Sequence, residues 1–242
     1  MGSGKLMSKL REELTAMSEL VENQVNEAIM ALIERSASMA QDVRDDDVQI
    51  DETELDVDKR CVEVLQLEKP RSDNFRFVIA AMKINGHLSR MGDLTVDMAR
   101  HVDLLITKQS VQADLSSLAE MLEFSSMMVR DSVISLLERN VELAWRVCAH
   151  DDLVDEAFAT LQAQLYEVMA SDSSKAVRAS WLLSCAQDLE RIADLATDVA
   201  QEVIYMLEGK IVRHHIDEWR KRLAPELDRQ RASRRQRKRR DL

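Results

Sequence analysis

Two stretches of the chain carry carboxylates at a spacing suited to holding cations. HLSRMGDLTVDMAR, residues 87–100, places Asp93 four residues before Asp97. DLERIADLATDVAQ, residues 188–201, places Glu190, Asp194 and Asp198 at successive steps of four. Two more pairs repeat the spacing, Asp47 with Asp51 and Asp151 with Asp155. On a helix such side chains share a face, with Cβ atoms about 6 Å apart. Like charges placed this way destabilise a helix by a few tenths of a kcal/mol, so their repetition points to a counter-charge. A divalent or trivalent cation supplies one, and oxygen-only donors suit magnesium, manganese, calcium or iron rather than zinc. One stripe offers too few ligands, so two neighbouring helices must contribute. For any single stripe a solvated helix face explains the acids equally well; the doubling favours cations.

The doubling extends beyond the acids. Ala40, Val43, Asp47, Ile50 and Asp51 match Ala144, Val147, Asp151, Val154 and Asp155 at an offset of 104. Leu88, Arg90, Asp93, Leu94, Asp97 and Ala99 match Leu189, Arg191, Asp194, Leu195, Asp198 and Ala200 at an offset of 101. The shift of three fits a slightly shorter middle element in the second copy. Ser89 stands where Glu190 stands in the second copy, so the first copy lacks one charged donor.

Helices must position these acids. The chain has 242 residues but only 5 Gly and 2 Pro, and aromatic residues make up 4%. Scarce breakers and a 3.6-residue apolar period predict an all-α protein. Leu10, Leu14, Met17, Val21, Val25, Ala28, Leu32 and Met39 recur at steps of three and four, which predicts a first helix over 6–43. RDDDVQID is expected to interrupt it before a second helix over 48–68, stopped by Pro70. Ser72 is the candidate N-cap of a third helix reaching residue 108. The second half is read the same way: a helix over 114–149, an interruption at HDD, a helix over 153–170, caps from SDSS, and a helix over 175–208 ending at Gly209. The expected architecture is two tandem, sequence-related three-helix bundles, long–short–long. The first spans 6–110, the second 113–211, and 212–242 holds a short helix and a basic, disordered tail.

In the last long helix Leu189, Ile192, Ala196, Val199, Val203 and Met206 form the apolar seam. In the first copy Leu88, Met91, Thr95, Met98, Val102 and Leu105 do so. At about 100° per residue the acids fall opposite both seams. Trp145 and Trp181 read as core. Met121, Met127 and Met128 read as core filling, with a docking face as the alternative.

Charge narrows the partners. The formal net charge is −11, from 33 Lys and Arg against 44 Asp and Glu. The tail RQRASRRQRKRRDL is basic, so the remaining body is more acidic still. An acidic body suits cations or a basic partner surface, not specific nucleic-acid binding. Cys61, Cys148 and Cys185 are odd in number, without a Cys-x-x-Cys pair, and read as reduced buried thiols of a cytoplasmic protein. No apolar run approaches the roughly 20 residues of a membrane span, so membrane insertion is not expected.

Catalytic patterns are missing. The five histidines form neither Glu-x-x-His nor His-Glu-x-x-His. GSGK near the start lacks the rest of a phosphate loop. No nucleophile elbow occurs. The expectation is a non-enzymatic protein with no catalytic residues.

Taken together, AQDVRDDDVQIDETELDVDKRC, LSRMGDLTVDMA and LERIADLATDVAQEVIYMLEGKIVRH resemble the PhoU family of phosphate-uptake regulators, over roughly residues 10–214. The resemblance implies two three-helix bundles, a homodimer, and metal clusters on the bundle surfaces held by Glu/Asp-x-x-x-Asp motifs. Carried over by position, Asp151, Asp155, Glu190, Asp194 and Asp198 would serve the second bundle, and Asp47, Asp51, Asp93 and Asp97 the first. It also implies regulation of phosphate uptake and phosphate-starvation signalling, by contact with a phosphate ABC transporter and a membrane sensor kinase. The sequence departs from the family at Ser89 and in SDNFRF, where Asp73 and Arg76 are separated by an extra residue. The alternatives are a metal-binding or metal-storage bundle and a helical adaptor without a phosphate role.

Overall fold

The computed structural model describes residues 3–67, 73–106 and 115–212. Six long helices account for them: α1 (Ser3–Glu34), α2 (Ala37–Leu65), α3 (Asp73–Ile106), α4 (Ser116–Leu137), α5 (Val141–Ser171) and α6 (Ala176–Glu208). A short 3₁₀ turn, Ser173–Lys175, leads into α6. There is no strand among the described residues. Helices α1–α3 pack as one bundle and α4–α6 as the second, as the apolar periodicity predicts.

The predicted break points are wrong. RDDDVQID lies inside α2 and HDD inside α5. The chain turns instead at Arg35–Ser36 and Arg139–Asn140, positions 104 residues apart and therefore equivalent in the repeat. Arg35 (φ 52°) and Arg139 (φ 55°) take the left-handed conformation that closes a helix. The amide of the following residue donates back across the turn, Ser36 to Ala31 O at 3.1 Å and Asn140 to Ser135 O at 2.9 Å. The same two residues then cap the next helix: Ser36 Oγ accepts from the Met39 amide, and Asn140 Oδ1 from the Leu143 amide. The acidic runs stay helical because Asp lowers helix propensity by only about 0.7 kcal/mol per residue. Burial of Val43, Ile50, Val147 and Val154 on the opposite face outweighs that.

The long–short–long pattern is also corrected. The middle helices have 29 and 31 residues, and α4, with 22, is the short one. The middle helix of the second copy is therefore not the shorter one, and only 172–175 separate α5 from α6. Asp172 organises that connection by accepting from the amide and hydroxyl of Ser174. Gly209 ends α6 at φ 71°, and a Cβ there would stand 2.5 Å from Arg76 Nη1. Pro70, Ser72, the expected junction near 109–113, the predicted seventh helix and the basic tail lie outside the described residues.

Both predicted seams are buried along their whole length. Met121 and Met128 are fully enclosed and fill the core, while Met127 is only partly buried. Trp145 is buried, and Trp181 packs against the core from a partly exposed position. One hydrophobic cluster runs through all six helices without a gap between the bundles. The bundles meet mainly where α3 lies along α6, with α1 against α4 beside it. Side-chain contacts fix α3 and α6 as antiparallel: Lys83 pairs with Glu202, His87 lies beside Asp198, and His101 beside Asp188.

Candidate acidic site at the crossing of α3 and α6

The two sequence signatures, one in α3 and one in α6, cross each other at the bundle junction. A groove of about 420 Å³ opens between them, lined by Arg90, Asp93 and Leu94 of α3 and by Arg191, Asp194, Leu195 and Asp198 of α6. Six of these residues pair off under the internal repeat: Arg90 with Arg191, Asp93 with Asp194, Leu94 with Leu195. The groove therefore has nearly the same wall twice, related by an approximate two-fold axis within one chain.

Each wall is joined by acids from its neighbouring middle helix. In the first bundle Asp93 has its pKa raised, first by burial and then by the charges of Asp47, Asp51 and Asp97. All four predicted residues thus share one electrostatic environment. In the second bundle burial raises Asp151 to about 7, with Asp194 and Asp155 adding to the effect. Glu190 is raised by burial, then by Asp194 and Asp155. Asp194 is raised by burial, then by Asp155 and Asp198. The five acids of that copy repel one another across α5 and α6.

The two faces differ in how the protein itself answers the charge. In the first, Gln24 Nε2 donates to Asp47 Oδ1 at 3.1 Å and to Val43 O at 3.1 Å. Arg100 Nη1 reaches Asp97 Oδ1 at 2.6 Å. Gly92 makes room for this arrangement, since a Cβ on it would come within 3.3 Å of both Asp47 Oδ1 and Gln24 Oε1. In the second, Ala193 replaces Gly92 and Glu190 replaces Ser89. His87 Nδ1 approaches Asp198 Oδ2 at 3.7 Å from the opposite bundle.

These acids fit a hard cation in donor chemistry and in charge, because they crowd negative oxygen on two adjacent helices and leave it under-compensated. They do not form a ready-made cage: among the described residues no three His, Cys, Asp or Glu side chains converge as one metal-binding group. Gln24, His87 and His101 carry no weight in the sequence reading of the site, although Gln24 and His87 touch its acids and His101 faces Asp188 across the same junction. Gln24 leaves a signal, a polar residue on the apolar stripe of Val21, Val25 and Ala28. The histidines leave none, because their partners lie in the other bundle. The three cysteines are unpaired and buried, and burial pushes the Cys61 and Cys148 thiols up to about 12.

Comparison with known proteins matches the PhoU domain twice, over residues 14–102 and 118–203. A phosphate-specific transport system accessory protein PhoU homolog from Aquifex aeolicus is 34% identical over 215 residues, covering 88% of this chain and 97% of the relative. The Pseudomonas putida homolog of the same name is 31% identical, covering 86% and 81%. The crystal structure of PhoU from Pseudomonas aeruginosa superposes with a TM-score of 0.83 at 29% identity, covering 86% of this chain and all of that one.

Proposed function

The chain belongs to the PhoU family, and on that premise we propose that it regulates phosphate uptake and phosphate-starvation signalling without catalysing a reaction. It acts from the cytoplasm, by contact with a phosphate ABC transporter and a membrane sensor kinase. The supporting observation is the match of both bundles to relatives named as accessory proteins of a phosphate-specific transport system. No described helix is long and apolar enough to cross a membrane, which suits a partner that docks onto a transporter rather than one that forms it.

The acidic faces are the proposed metal sites. Asp151, Asp155, Glu190, Asp194 and Asp198 hold magnesium, manganese, calcium or iron in the second bundle; Asp47, Asp51, Asp93 and Asp97 form a weaker site in the first. A bound cation supplies the positive charge that lets these acids stay ionised together. Support for the asymmetry comes from Ser89 and from the partners already engaged by Asp47 and Asp97. Homodimer formation is proposed through α2, where Val48, Leu55 and Val62 stand exposed at steps of seven.

Deletion of the gene tests the regulatory reading. Phosphate-starvation transcripts are expected to rise in phosphate-replete cells, with recovery on complementation. Unchanged transcripts and unchanged phosphate uptake would overturn it.

A further inference from the structure

At the end of the molecule where α1 and α3 stop and α4 and α6 begin, a cavity of about 240 Å³ lies between the bundles. Its wall is mostly apolar: Leu32, Val102, Leu105, Leu118, Leu122 and Leu182. Two arginines complete it, Arg35 from the α1–α2 turn and Arg178 from the first turn of α6. Among the described residues no acidic residue lines it.

Arg178 is the unusual member. It is 5% exposed, and neither Nη1 nor Nη2 has a hydrogen-bond partner among the described residues. A buried guanidinium left this way is destabilising until an anion answers it. Arg35 adds a second positive charge close enough to disfavour the first, on top of burial. Helix starts (α2, α4, α6) and helix ends (α1, α3, α5) gather at this end of the molecule, so their dipoles oppose and the guanidinium groups set the sign of the cavity. A protein with net charge −11 thus keeps a positive pocket with an apolar interior, away from its acidic faces.

We propose that this inter-bundle cavity binds a small amphipathic carboxylate, with the carboxylate on the Arg178 and Arg35 guanidinium groups and an apolar ring or short acyl chain among the leucines. The guanidinium fork matches a carboxylate through two parallel N–H···O bonds. The volume is adequate for the tail, since an apolar cavity of about 150 Å³ is enough to hold benzene. The site shares no residue with the acidic crossing, so its failure would leave the proposed regulatory function standing.

Calorimetric titration of the full chain with octanoate tests this, with octanol and inorganic phosphate as separate arms. Saturable 1:1 octanoate binding is expected, at least tenfold tighter than octanol, with no response to phosphate. Arg178→Met is expected to weaken octanoate at least tenfold while keeping the wild-type far-UV spectrum and an unchanged or higher melting temperature. Leu118→Trp, which fills the cavity, is expected to block octanoate without touching either arginine. Absence of octanoate binding to the wild type overturns the proposal, as does equal binding of octanol or full binding by Arg178→Met.

Discussion

Lys83 Nζ lies 3.1 Å from both carboxylate oxygens of Glu202, a clamp between α3 and α6. Glu202 is buried while the lysine stem is half exposed and its ammonium sits 5.4 Å from the Tyr205 ring centroid. Removing the cation and leaving the buried carboxylate is the costly direction. Lys83→Met is expected to lose about 1–3 kcal/mol in urea unfolding. Glu202→Gln should lose less, because the amide still accepts from Lys83. A Lys83→Met protein as stable as wild type would show that the clamp contributes nothing to the junction.

Stability should depend on pH through Asp151. Its folded value of about 7 stands above the ordinary 3.8, so the folded state holds a proton that the unfolded chain has released between those values. Stability is therefore greatest below about pH 4 for this group and falls as pH rises to about 7. In metal-free buffer at pH 8, Asp151→Asn is expected to be more stable than wild type by about 1–3 kcal/mol. The difference should vanish near pH 4. Melting curves across that range check both ends.

Cation binding should offset that repulsion. Manganese or magnesium added at pH 8 is expected to raise the wild-type melting temperature and narrow the gap to Asp151→Asn. Chelator should restore the gap. Glu190→Ala combined with Asp194→Ala is expected to remove the tighter of two calorimetric binding events. Ser89→Glu should strengthen the weaker one. If the double variant binds as wild type does, the second-bundle assignment fails.

Two glycines should respond differently to alanine. At Gly209 the backbone is left-handed and Arg76 crowds the new Cβ, so Gly209→Ala is expected to cost about 1–2 kcal/mol. At Gly92 the neighbours are the ends of Asp47 and Gln24, which can yield by a few tenths of an ångström. The gain in helix propensity, about 1 kcal/mol, then offsets the crowding, and Gly92→Ala should be nearly neutral in urea unfolding. Its effect belongs in the cation titration, as a change at the first site.

Self-association through α2 has a direct check. Leu55→Asp is expected to convert a sedimenting dimer to monomer without loss of helix content. A dimer that survives this change places the interface elsewhere.

The helical fold and both seams were legible because apolar residues at steps of three and four leave little choice of buried face. The acidic sets were legible because the repeat doubled them. The turns were not. A run of aspartates looks like a loop, and the real stops, Arg35–Ser36 and Arg139–Asn140, contain neither Gly nor Pro. The offset of 104 that aligns Asp47 with Asp151 also aligns these two turns, so the repeat carried the information that composition hid. The positive cavity was invisible for a different reason: Arg35 and Arg178 are far apart in the chain and meet only because the two bundles dock.

Since a single apolar cluster threads both bundles, neither half is a free-standing module. Heating should melt the chain in one transition whose calorimetric and van't Hoff enthalpies agree. Separately expressed halves, cut between α3 and α4, would each bare a greasy flank and should recover order only when mixed.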